Sequence, residues 1–370
     1  MRLAFDVSAI LGTRTGIGHY STILLERLVS HDADIEIQPF ALTTKKDVSR
    51  IPESLRETLR RISVPARLGV TAWTRAGRPY AETYLDGVDV VHGPNFWVPP
   101  LSSASGVVTI HDMTFSLYPE MCTPQVRRYA WIIPKMLNWT RLVITPSESV
   151  RSEVAEVMGF PRDRIVVTPE GVRGSFVGVA PNQDAAREFG VDGPYVLFAG
   201  TQEPRKNLDR LIQAFAMLSD VEVQLLIVGP PGWGSVDLQA VATKLHVSSR
   251  VHFTGYVSDE RLAVLMAGAS AFAFPSIYEG FGLPPLEAMA AGVPVVAGRA
   301  GSLEEILGEA PFWCDPLDTS SIADALSRCL HDDAARSRAK EAGRSRAGLY
   351  SWDETARLTI EVYERAQRIR

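Results

Sequence analysis

The sequence predicts an α/β protein built from two doubly wound parallel sheets. Short apolar and β-branched runs alternate with amphipathic helical segments, and this alternation occurs twice along the chain. Such alternation is typical of parallel sheets covered by helices. The length of 370 residues also fits two domains, at about 100–200 residues each.

The first alternation predicts a Rossmann-like domain over residues 1–172. Its predicted helices cover 19–29, 124–137 and 147–158. Its predicted strands are 3–7, 35–40, 88–91, 107–110, 142–145 and 165–167. Residues 171–192 are rich in Gly, Pro, Asn and Asp, which indicates a connection between domains.

The second alternation predicts another Rossmann-like domain over residues 173–350. Its predicted strands are 195–199, 223–228, 251–254, 271–274 and 293–297. Its predicted helices cover 208–218, 237–245, 259–267 and 286–291, with more helix beyond Ser320. Ligands of open α/β sheets bind beyond the carboxyl ends of the strands, so two such sheets facing each other predict a cleft between the domains.

Composition and charge exclude several classes of protein. The formal net charge is −5, whereas a general nucleic-acid-binding protein has a strong basic excess. No apolar run approaches the roughly 18–20 residues that cross a bilayer, and the N-terminus lacks the features of a signal peptide. The three cysteines are odd in number and lack metal-ligand spacing. We therefore expect a cytoplasmic protein without a bound metal that does not bind nucleic acid.

One segment, residues 50–78, has a charge opposite to that of the rest of the chain. It contains seven arginines against two glutamates, a local charge of +5, so the remainder carries about −10. Trp73 and several aliphatic residues are interleaved with the arginines. One interpretation is a surface for anionic lipid or an anionic acceptor. The other is a solvated helical face.

The most informative segment is residues 279–292, which follow a predicted strand. Pro284 and Pro285 suit the first turn of a helix, and Gly292 suits the position after its end. The Gly-Phe-Gly turn before the prolines therefore leads into a helix N-terminus at the carboxyl edge of a sheet. Free backbone N–H groups and the positive helix end favour a phosphate or diphosphate there.

Two glutamates flank this turn. Glu279 precedes it and Glu287 lies about one turn inside the helix, so that seven residues separate the two carboxylates. A phosphate repels a carboxylate, so both are expected to accept hydrogen bonds from sugar or ribose hydroxyls. The alternative for Glu287 alone is that it complements the helix dipole.

A second segment, Arg205-Lys206-Asn207, follows the predicted strand 195–199. Asn207 is expected to cap the helix that comes next. Two cations directly before a helix N-terminus are unfavourable unless an anion binds between them and the helix. We expect Arg205 and Lys206 to hold a diphosphate and to stabilise it as a leaving group. The alternative is that these side chains are solvated, with Arg205 paired to Glu203.

Two histidines and a glycine loop mark the carboxyl edge of the first sheet. His111-Asp112 and His92 each follow a predicted strand, and the loop 12–18 contains Gly16 at a strand–helix junction. His111 is expected to hydrogen-bond a substrate or move a proton, with Asp112 orienting its ring or capping the next turn. His92 either lines the acceptor site or is structural. The full Gly-x-Gly-x-x-Gly fingerprint of dinucleotide enzymes is absent.

Together these motifs resemble the retaining nucleotide-sugar glycosyltransferases of family 4, which have the GT-B fold. The motifs follow the family's order along the chain: Gly16-Ile17-Gly18, His111-Asp112, Arg205-Lys206-Asn207, residues 253–259 and the Glu-x7-Glu block at 279–287. The resemblance implies an acceptor-binding first domain, a donor-binding second domain and a last helix, 351–370, that packs back on the first. One departure is Thr201, since the family often places an arginine there.

The resemblance also implies roles for single residues. Arg205 and Lys206 would bind the diphosphate, Glu279 the donor sugar and Glu287 the ribose hydroxyls. His111 would contact the donor sugar or the acceptor. The remaining implied donor-site residues are Gly16 beside the phosphate, Val257 and Asp259 by the base, and Phe281, Gly282 and Leu283 through their backbone N–H groups. An aspartate can accept from guanine N1–H and N2–H, which favours GDP. His92 and Asp112 are assigned to the acceptor.

The predicted function is therefore a retaining, metal-independent transfer of mannose from GDP-mannose to a glycan or lipid-linked acceptor, in cell-surface polysaccharide or glycolipid synthesis. No cofactor is expected besides the nucleotide-sugar substrate. Residues 50–78 predict peripheral contact with the inner face of the cytoplasmic membrane. Three alternatives stay open: a UDP-sugar-dependent transferase of the same fold, a sugar-nucleotide epimerase or hydrolase, and a non-catalytic GT-B partner protein.

Overall fold

A computed structural model describes residues 1–11, 16–31, 34–45, 47–234 and 236–369, without the side chain of Gln183. The chain divides into two compact units. The first unit is Met1–Glu170 together with Trp352–Arg370, and the second unit is Gly171–Ser351. These bounds lie within two residues of the ones that the sequence predicts.

The first unit contains a seven-stranded parallel sheet. Its strands are β1 (Arg2–Asp6), β2 (Glu36–Leu42), β3 (Arg60–Ile62), β4 (Val90–Gly93), β5 (Ser105–Thr109), β6 (Thr140–Thr145) and β7 (Ile165–Val167). Their spatial order is β3-β2-β1-β4-β5-β6-β7. The order reverses between β1 and β4, and ligands of doubly wound sheets bind outside such a switch point.

Helices cover both faces of this sheet. They are α1 (Gly16–Ser30), α2 (Glu53–Arg56), α3 (Ala66–Ala76), α4 (Thr114–Leu117), α5 (Pro124–Arg127), α6 (Tyr129–Met136) and α7 (Glu148–Met158). The single helix predicted at 124–137 is wrong, because Arg128 separates α5 from α6. Of the predicted glycine loop, residues 12–15 lie outside the described residues, and α1 begins at Gly16.

The second unit contains a six-stranded parallel sheet in the order β10-β9-β8-β11-β12-β13. Its strands are β8 (Tyr195–Ala199), β9 (Gln224–Val228), β10 (Val251–Gly255), β11 (Ala271–Phe274), β12 (Val295–Gly298) and β13 (Phe312–Cys314). Its helices are α8 (Leu208–Ala216), α9 (Leu238–Lys244), α10 (Asp259–Gly268), α11 (Leu283–Ala290), α12 (Leu303–Leu307), α13 (Thr319–His331) and α14 (Asp333–Ala347). The central strands are fully buried, as expected for a sheet covered on both faces.

The last helix, α15 (Trp352–Arg368), belongs to the first unit and packs on α1 and on the sheet. One of its faces is buried, and hydrogen bonds join it to the rest of the unit. Thr355 Oγ1 donates to the Pro169 carbonyl at 2.7 Å, and Ser105 Oγ donates to the Ala366 carbonyl at 2.9 Å. The second unit, Gly171–Ser351, thus interrupts a first unit that is completed by α15.

The predicted fold class, two doubly wound α/β units, is confirmed. The edge strands β3 and β13 were not predicted, whereas β7, an edge strand of the same length, was predicted from its run of β-branched residues. Among the described helices, none is long and apolar enough to cross a membrane.

Candidate active site

The cations before α8 form an ion-pair cluster with the first glutamate of the Glu-x7-Glu block. Glu279 Oε2 lies 2.5 Å from Arg205 Nη1, and Glu279 Oε1 lies 2.6 Å from Lys206 Nζ. Arg205 Nε also donates to Glu203 at 2.9 Å. We call these four residues, Glu203, Arg205, Lys206 and Glu279, the Glu279 cluster. Both cations therefore bind the Glu279 carboxylate. Arg205 also pairs with Glu203, which the sequence analysis gave as the alternative for this residue.

Burial makes this cluster electrostatically strong. Lys206 and Glu279 are both buried, and charges in a medium of low polarity interact much more strongly than in water. Burial alone would raise the pKa of Glu279, but the adjacent Arg205 and Lys206 hold that pKa below its ordinary value. Burial and the neighbouring Arg205 lower the pKa of Lys206. The Lys206 ammonium also lies 4.5 Å from the centre of the Phe274 ring, a cation–π contact.

Backbone contacts fix the position of Glu279. Its carbonyl accepts hydrogen bonds from Ser302 N and Ser302 Oγ, each at 3.1 Å. Gly301 packs against the same carbonyl so closely that a Cβ there would approach it to 2.5 Å. The Ile277 N–H donates to the Arg205 carbonyl at 2.8 Å and joins the two loops that carry the cluster. The geometry of the cluster is thus set by the loops that follow β8, β11 and β12.

The expected capping role of Asn207 is wrong. Asn207 has a left-handed backbone (φ 62°), and its side chain makes no capping hydrogen bond to α8. The side-chain amide instead donates to the carbonyls of Pro275 and Pro316, at 3.0 and 2.6 Å. Both acceptors belong to residues without an N–H of their own, so the buried amide joins three loops at the carboxyl edge of the sheet. Asn207 therefore supports the loop of Arg205 and Lys206.

The start of α11 has the geometry that the sequence predicts for an anion-binding turn. Gly282 precedes the helix with φ 101°, a conformation that disfavours other residues, and a Cβ there would lie 2.4 Å from Leu303. The first N–H groups of a helix have no partner within it, and Pro284 and Pro285 carry none. The available donors are thereby confined to residues 281–283, where Phe281 is buried and Leu283 half-buried.

Glu287 has a partner that the sequence reasoning did not find. Arg173 donates two parallel hydrogen bonds to Glu287, from Nε to Oε1 at 2.5 Å and from Nη2 to Oε2 at 2.8 Å. Arg173 Nη1 also lies 2.9 Å from Asp259 Oδ1 in the first turn of α10. Asp259 and Glu287, both assigned to the nucleotide, therefore share one arginine. Val257 is half-buried two residues before Asp259.

His111 is held by Glu170 rather than by Asp112. Its Nε2 lies 2.8 Å from the Pro94 carbonyl, and its Nδ1 lies 3.2 Å from Glu170 Oε1. A carbonyl can only accept, so Nε2 is the donor to Pro94 and Nδ1 faces the Glu170 carboxylate. Asp112 Oδ1 accepts from Thr114 N at 2.9 Å, so it caps the turn that opens α4, the second of the two predicted roles.

The acceptor assignment of His92 is wrong. His92 has no exposed surface, and both of its ring nitrogens are bonded, Nδ1 to Tyr363 Oη at 2.7 Å and Nε2 to Thr109 Oγ1 at 2.9 Å. Burial lowers the pKa of His92 to about 3, so the ring is neutral. His92 is structural: it joins β4 and β5 to α15.

Two further sequence predictions concern Gly16 at the start of α1 and the absence of a bound metal. Gly16 is exposed, and a Cβ added there would meet nothing within 4 Å, so packing does not require glycine at this position. Across the part of the chain that the structure describes, no three His, Cys, Asp or Glu side chains are grouped as metal ligands.

Comparisons with known proteins identify the family of the chain. The family description "Glycosyltransferase Family 4" matches residues 15–174, and "Glycosyl transferases group 1" matches residues 180–346. O-antigen chain mannosyltransferase B from Escherichia coli is 32% identical over 98% of this chain and 100% of the relative. An MMP alpha-(1->4)-mannosyltransferase from Mycolicibacterium hassiacum is 30% identical over 98% of this chain and 91% of the relative.

A solved structure gives the same result for the fold. Sucrose-phosphate synthase from Thermosynechococcus elongatus superposes with a TM-score of 0.78 at 22% identity, over 99% of this chain and 98% of that one. Two doubly wound units with the Glu-x7-Glu block define a glycosyltransferase with the GT-B fold. The chain belongs to glycosyltransferase family 4, the family that its motifs resemble.

Proposed function

We propose that the protein transfers mannose from GDP-mannose, with retention of configuration, to a hydroxyl of a glycan or lipid-linked acceptor in the synthesis of a cell-surface polysaccharide or glycolipid. The observation that carries the transfer chemistry is the Glu279 cluster, in which Arg205 and Lys206 meet one buried carboxylate. Mannose is favoured because the two relatives described above are mannosyltransferases by name. Their names also favour a glycan or glycan-like acceptor.

The cluster suits a diphosphate leaving group. An ammonium has three donors and a guanidinium has five, so Lys206 and Arg205 can hold Glu279 and phosphate oxygens at the same time. The N–H groups at the start of α11 add partial positive charge. Preorganised donors of this kind stabilise the negative charge that develops as the diphosphate departs. Because two side-chain cations neutralise that charge, we propose that the reaction needs no metal ion.

The proposal of retention rests on the family resemblance, and the expected route depends on Glu279. Its two carboxylate oxygens hold Arg205 and Lys206, an arrangement that suits an acceptor of sugar hydroxyl hydrogen bonds better than a covalent nucleophile. We propose that the acceptor hydroxyl attacks on the face from which the diphosphate leaves. The bond from the anomeric carbon to the phosphate oxygen breaks, the new glycosidic bond forms, and the departing phosphate takes the hydroxyl proton.

The base preference rests on Asp259. This residue shares Arg173 with Glu287, so a nucleotide whose ribose reaches Glu287 would present its base near the start of α10. A carboxylate there can accept from guanine N1–H and N2–H, which uracil and adenine cannot reproduce. Val257 would provide apolar contact beside the base.

Calorimetry with GDP, UDP and ADP tests the donor. We expect GDP to bind about tenfold to a hundredfold more tightly than the other two, the ~1–3 kcal/mol of a good bidentate contact to a base. Asp259→Asn should remove most of that preference while UDP affinity changes little. A preference for UDP would refute the GDP proposal and leave the transfer chemistry in place.

A transfer assay with GDP-mannose and a mannose-containing acceptor tests the reaction. We expect an α-linked product by NMR, since the sugar is α-linked in the donor, and an unchanged rate in EDTA. A β-linked product would contradict retention. Release of free sugar at the same rate without acceptor would favour a hydrolase, and binding without turnover would favour a non-catalytic protein.

We further propose that the basic segment, residues 50–78, holds the protein at the cytoplasmic face of a membrane. Leu68, at the start of α3, is 66% exposed, and Val64, Arg61 and Arg67 of the same segment are also exposed. A segment that exposes both aliphatic side chains and arginines suits the interface of an anionic bilayer. Other arginines of the segment have partners within the unit, such as Arg60 with Asp86.

Sedimentation with vesicles tests this membrane contact. We expect binding to vesicles of phosphatidylglycerol but little binding to phosphatidylcholine. Arg61→Glu with Arg67→Glu should weaken the binding by at least about tenfold, at ~1 kcal/mol for each basic residue lost. Leu317→Glu changes an exposed aliphatic residue of the second unit and is the matched control. Equal binding of the double variant and the wild type would contradict the proposal.

A further inference from the structure

Arg173 joins the two acidic groups assigned to the nucleotide. Its guanidinium meets Glu287 on α11 with two bonds and Asp259 on α10 with a third contact. Glu287 is 1% exposed, and the Arg173 side chain is 15% exposed. The guanidinium also lies 4.6 Å from the centre of the Phe176 ring. Arg173 is therefore fixed from three sides.

The paired arrangement explains how Glu287 can stay charged at this depth. A buried carboxylate without a partner is so unfavourable that it becomes protonated. Burial alone would lower the pKa of Arg173, but the Glu287 and Asp259 carboxylates outweigh burial and hold that pKa above its ordinary value. Arg173 is thus a permanent cation, and Glu287 remains an acceptor. An ionised carboxylate accepts up to about four hydrogen bonds, so two bonds from Arg173 do not exhaust it.

The planar fork of Arg173 also fixes the direction of the Glu287 carboxylate. Two parallel N–H bonds hold the plane of the carboxylate in line with the guanidinium, whereas a single ammonium would let it rotate. Two hydroxyls on adjacent carbons require two acceptor oxygens in a fixed plane. In addition, Arg173 reduces the charge of the Glu287–Asp259 pair from −2 to −1, which lessens repulsion of a diphosphate.

We propose that Arg173 is a positioning residue for the donor nucleotide: it holds the Glu287 carboxylate in the plane that receives the ribose 2′- and 3′-hydroxyls. The inference rests on the proposed function, in which a nucleotide-sugar binds with its ribose at Glu287. Arg173 itself need not touch the nucleotide. Its effect on affinity should therefore depend on the presence of the two ribose hydroxyls.

The experiment measures calorimetric affinities for GDP and for 2′,3′-dideoxy-GDP, with UDP and its dideoxy form as a parallel arm. We expect Arg173→Gln to weaken binding of the ribonucleotide by about tenfold to a hundredfold and of the dideoxy form by less than threefold. Arg173→Lys keeps the charge but loses the fork, and should fall between the wild type and the Gln variant. Equal losses for both nucleotides would mean that Arg173 only supports the fold, and would overturn the inference.

A second comparison covers the case in which Arg173→Gln leaves Glu287 unpaired and fails to fold. The double variant Arg173→Gln, Glu287→Gln leaves no buried carboxylate on α11. If Arg173 acts through Glu287, the double variant and Glu287→Gln alone should bind GDP within about twofold of each other. A further loss of tenfold or more in the double variant would overturn the inference. Absence of any nucleotide binding by the wild type would refute the proposed function itself, and so separates the two failures.

Discussion

Lys206→Ala is expected to lower the rate of sugar transfer by about two to three orders of magnitude, the usual cost of removing one preorganised donor from a developing anion. The Lys206 ammonium is buried and lies 2.6 Å from Glu279, with Arg205 on the other oxygen of the same carboxylate. The loss should fall mainly on kcat, because the diphosphate gains charge as the sugar departs and Arg205 remains for ground-state binding. Initial rates with the donor varied at saturating acceptor give the separation of kcat from KM.

Glu279→Ala is expected to abolish most transfer as well, for a different reason. Its removal leaves Arg205 and Lys206 close together with less compensating charge, and breaking a buried pair costs about 3–5 kcal/mol of stability. We therefore expect a lower melting temperature in addition to the loss of rate. The Lys206→Ala, Glu279→Ala double variant should recover part of that stability without recovering activity.

The matched control for both variants is Arg299→Ala, which breaks an ion pair of the same unit with Glu304 at 2.8 Å. The Arg299 and Glu304 side chains are both about half exposed, so their ion pair contributes little to the stability of the fold. Its rate and melting temperature should stay near those of the wild type. Turnover close to the wild-type rate in a folded Lys206→Ala or Glu279→Ala protein would refute the assignment of the cluster to the reaction.

Much of the fold could be predicted from the sequence because its central strands are continuous apolar runs. The predicted strands 195–199 and 271–274 agree with β8 and β11, since parallel strands buried on both faces carry no polar positions. The start of α11 was also predictable, because Pro284 and Pro285 are restricted to a first helical turn. The edge strand β3 lacks both signals, because two of its three residues are arginines.

The candidate site was predictable in its residues but not in their pairing. The sequence indicates Arg205, Lys206 and Glu279 separately, and the three-dimensional arrangement of the loops after β8 and β11 brings them together. Arg173 lies in a segment interpreted as an interdomain connection, with no motif around it. The available signal was indirect: a glutamate facing inwards from a helix needs a cation. The capping role predicted for Asn207 is wrong because an asparagine before a helix has the same sequence signature whether it caps the helix or joins loops.

In the first unit as well, the sequence does not predict the hydrogen-bond partners of the candidate site residues. The predicted strand 88–91 ends just before His92, but β4 includes His92, whereas His111 follows β5. The sequence pattern does not place that boundary, and it cannot distinguish a side chain held by Tyr363 from one held by Glu170. The partner of His92 is 271 residues away along the chain, on the helix that completes the unit. Such long-range pairs leave no periodic pattern, so structural and functional histidines look alike in the sequence.

The buried His92 is expected to make the first unit sensitive to acid. Its pKa falls from about 6.5 when unfolded to about 3 when folded. Between these two values the unfolded chain binds a proton that the folded chain does not, so stability decreases as the pH falls. The stability that the neutral His92 ring contributes is fully present above about pH 6.5. Up to ~5 kcal/mol of the free energy of unfolding is lost by about pH 3. Asp6 acts in the opposite direction, since burial raises its pKa to about 6.

Urea denaturation at pH 7, 5.5 and 4, followed by tryptophan fluorescence, compares the wild type with His92→Gln. Five of the seven tryptophans lie in the first unit, so the signal reports mainly on its unfolding. His92→Gln should be the less stable protein at pH 7, because its hydrogen bonds to Tyr363 and Thr109 are perturbed. The difference should shrink by about 3 kcal/mol at pH 4, because the variant has no proton to take up on unfolding.

The comparison isolates His92 because the other titrating groups are common to both proteins. The contribution of Asp6 is present in each protein and cancels in the difference. His31→Gln replaces an exposed histidine and should follow the wild-type curve at every pH. If wild type and His92→Gln lose stability in parallel from pH 7 to pH 4, His92 is not the acid-sensitive group. The bonds that join β4 to α15 would then persist when the ring is charged, and the first unit would owe its response to acid to other residues.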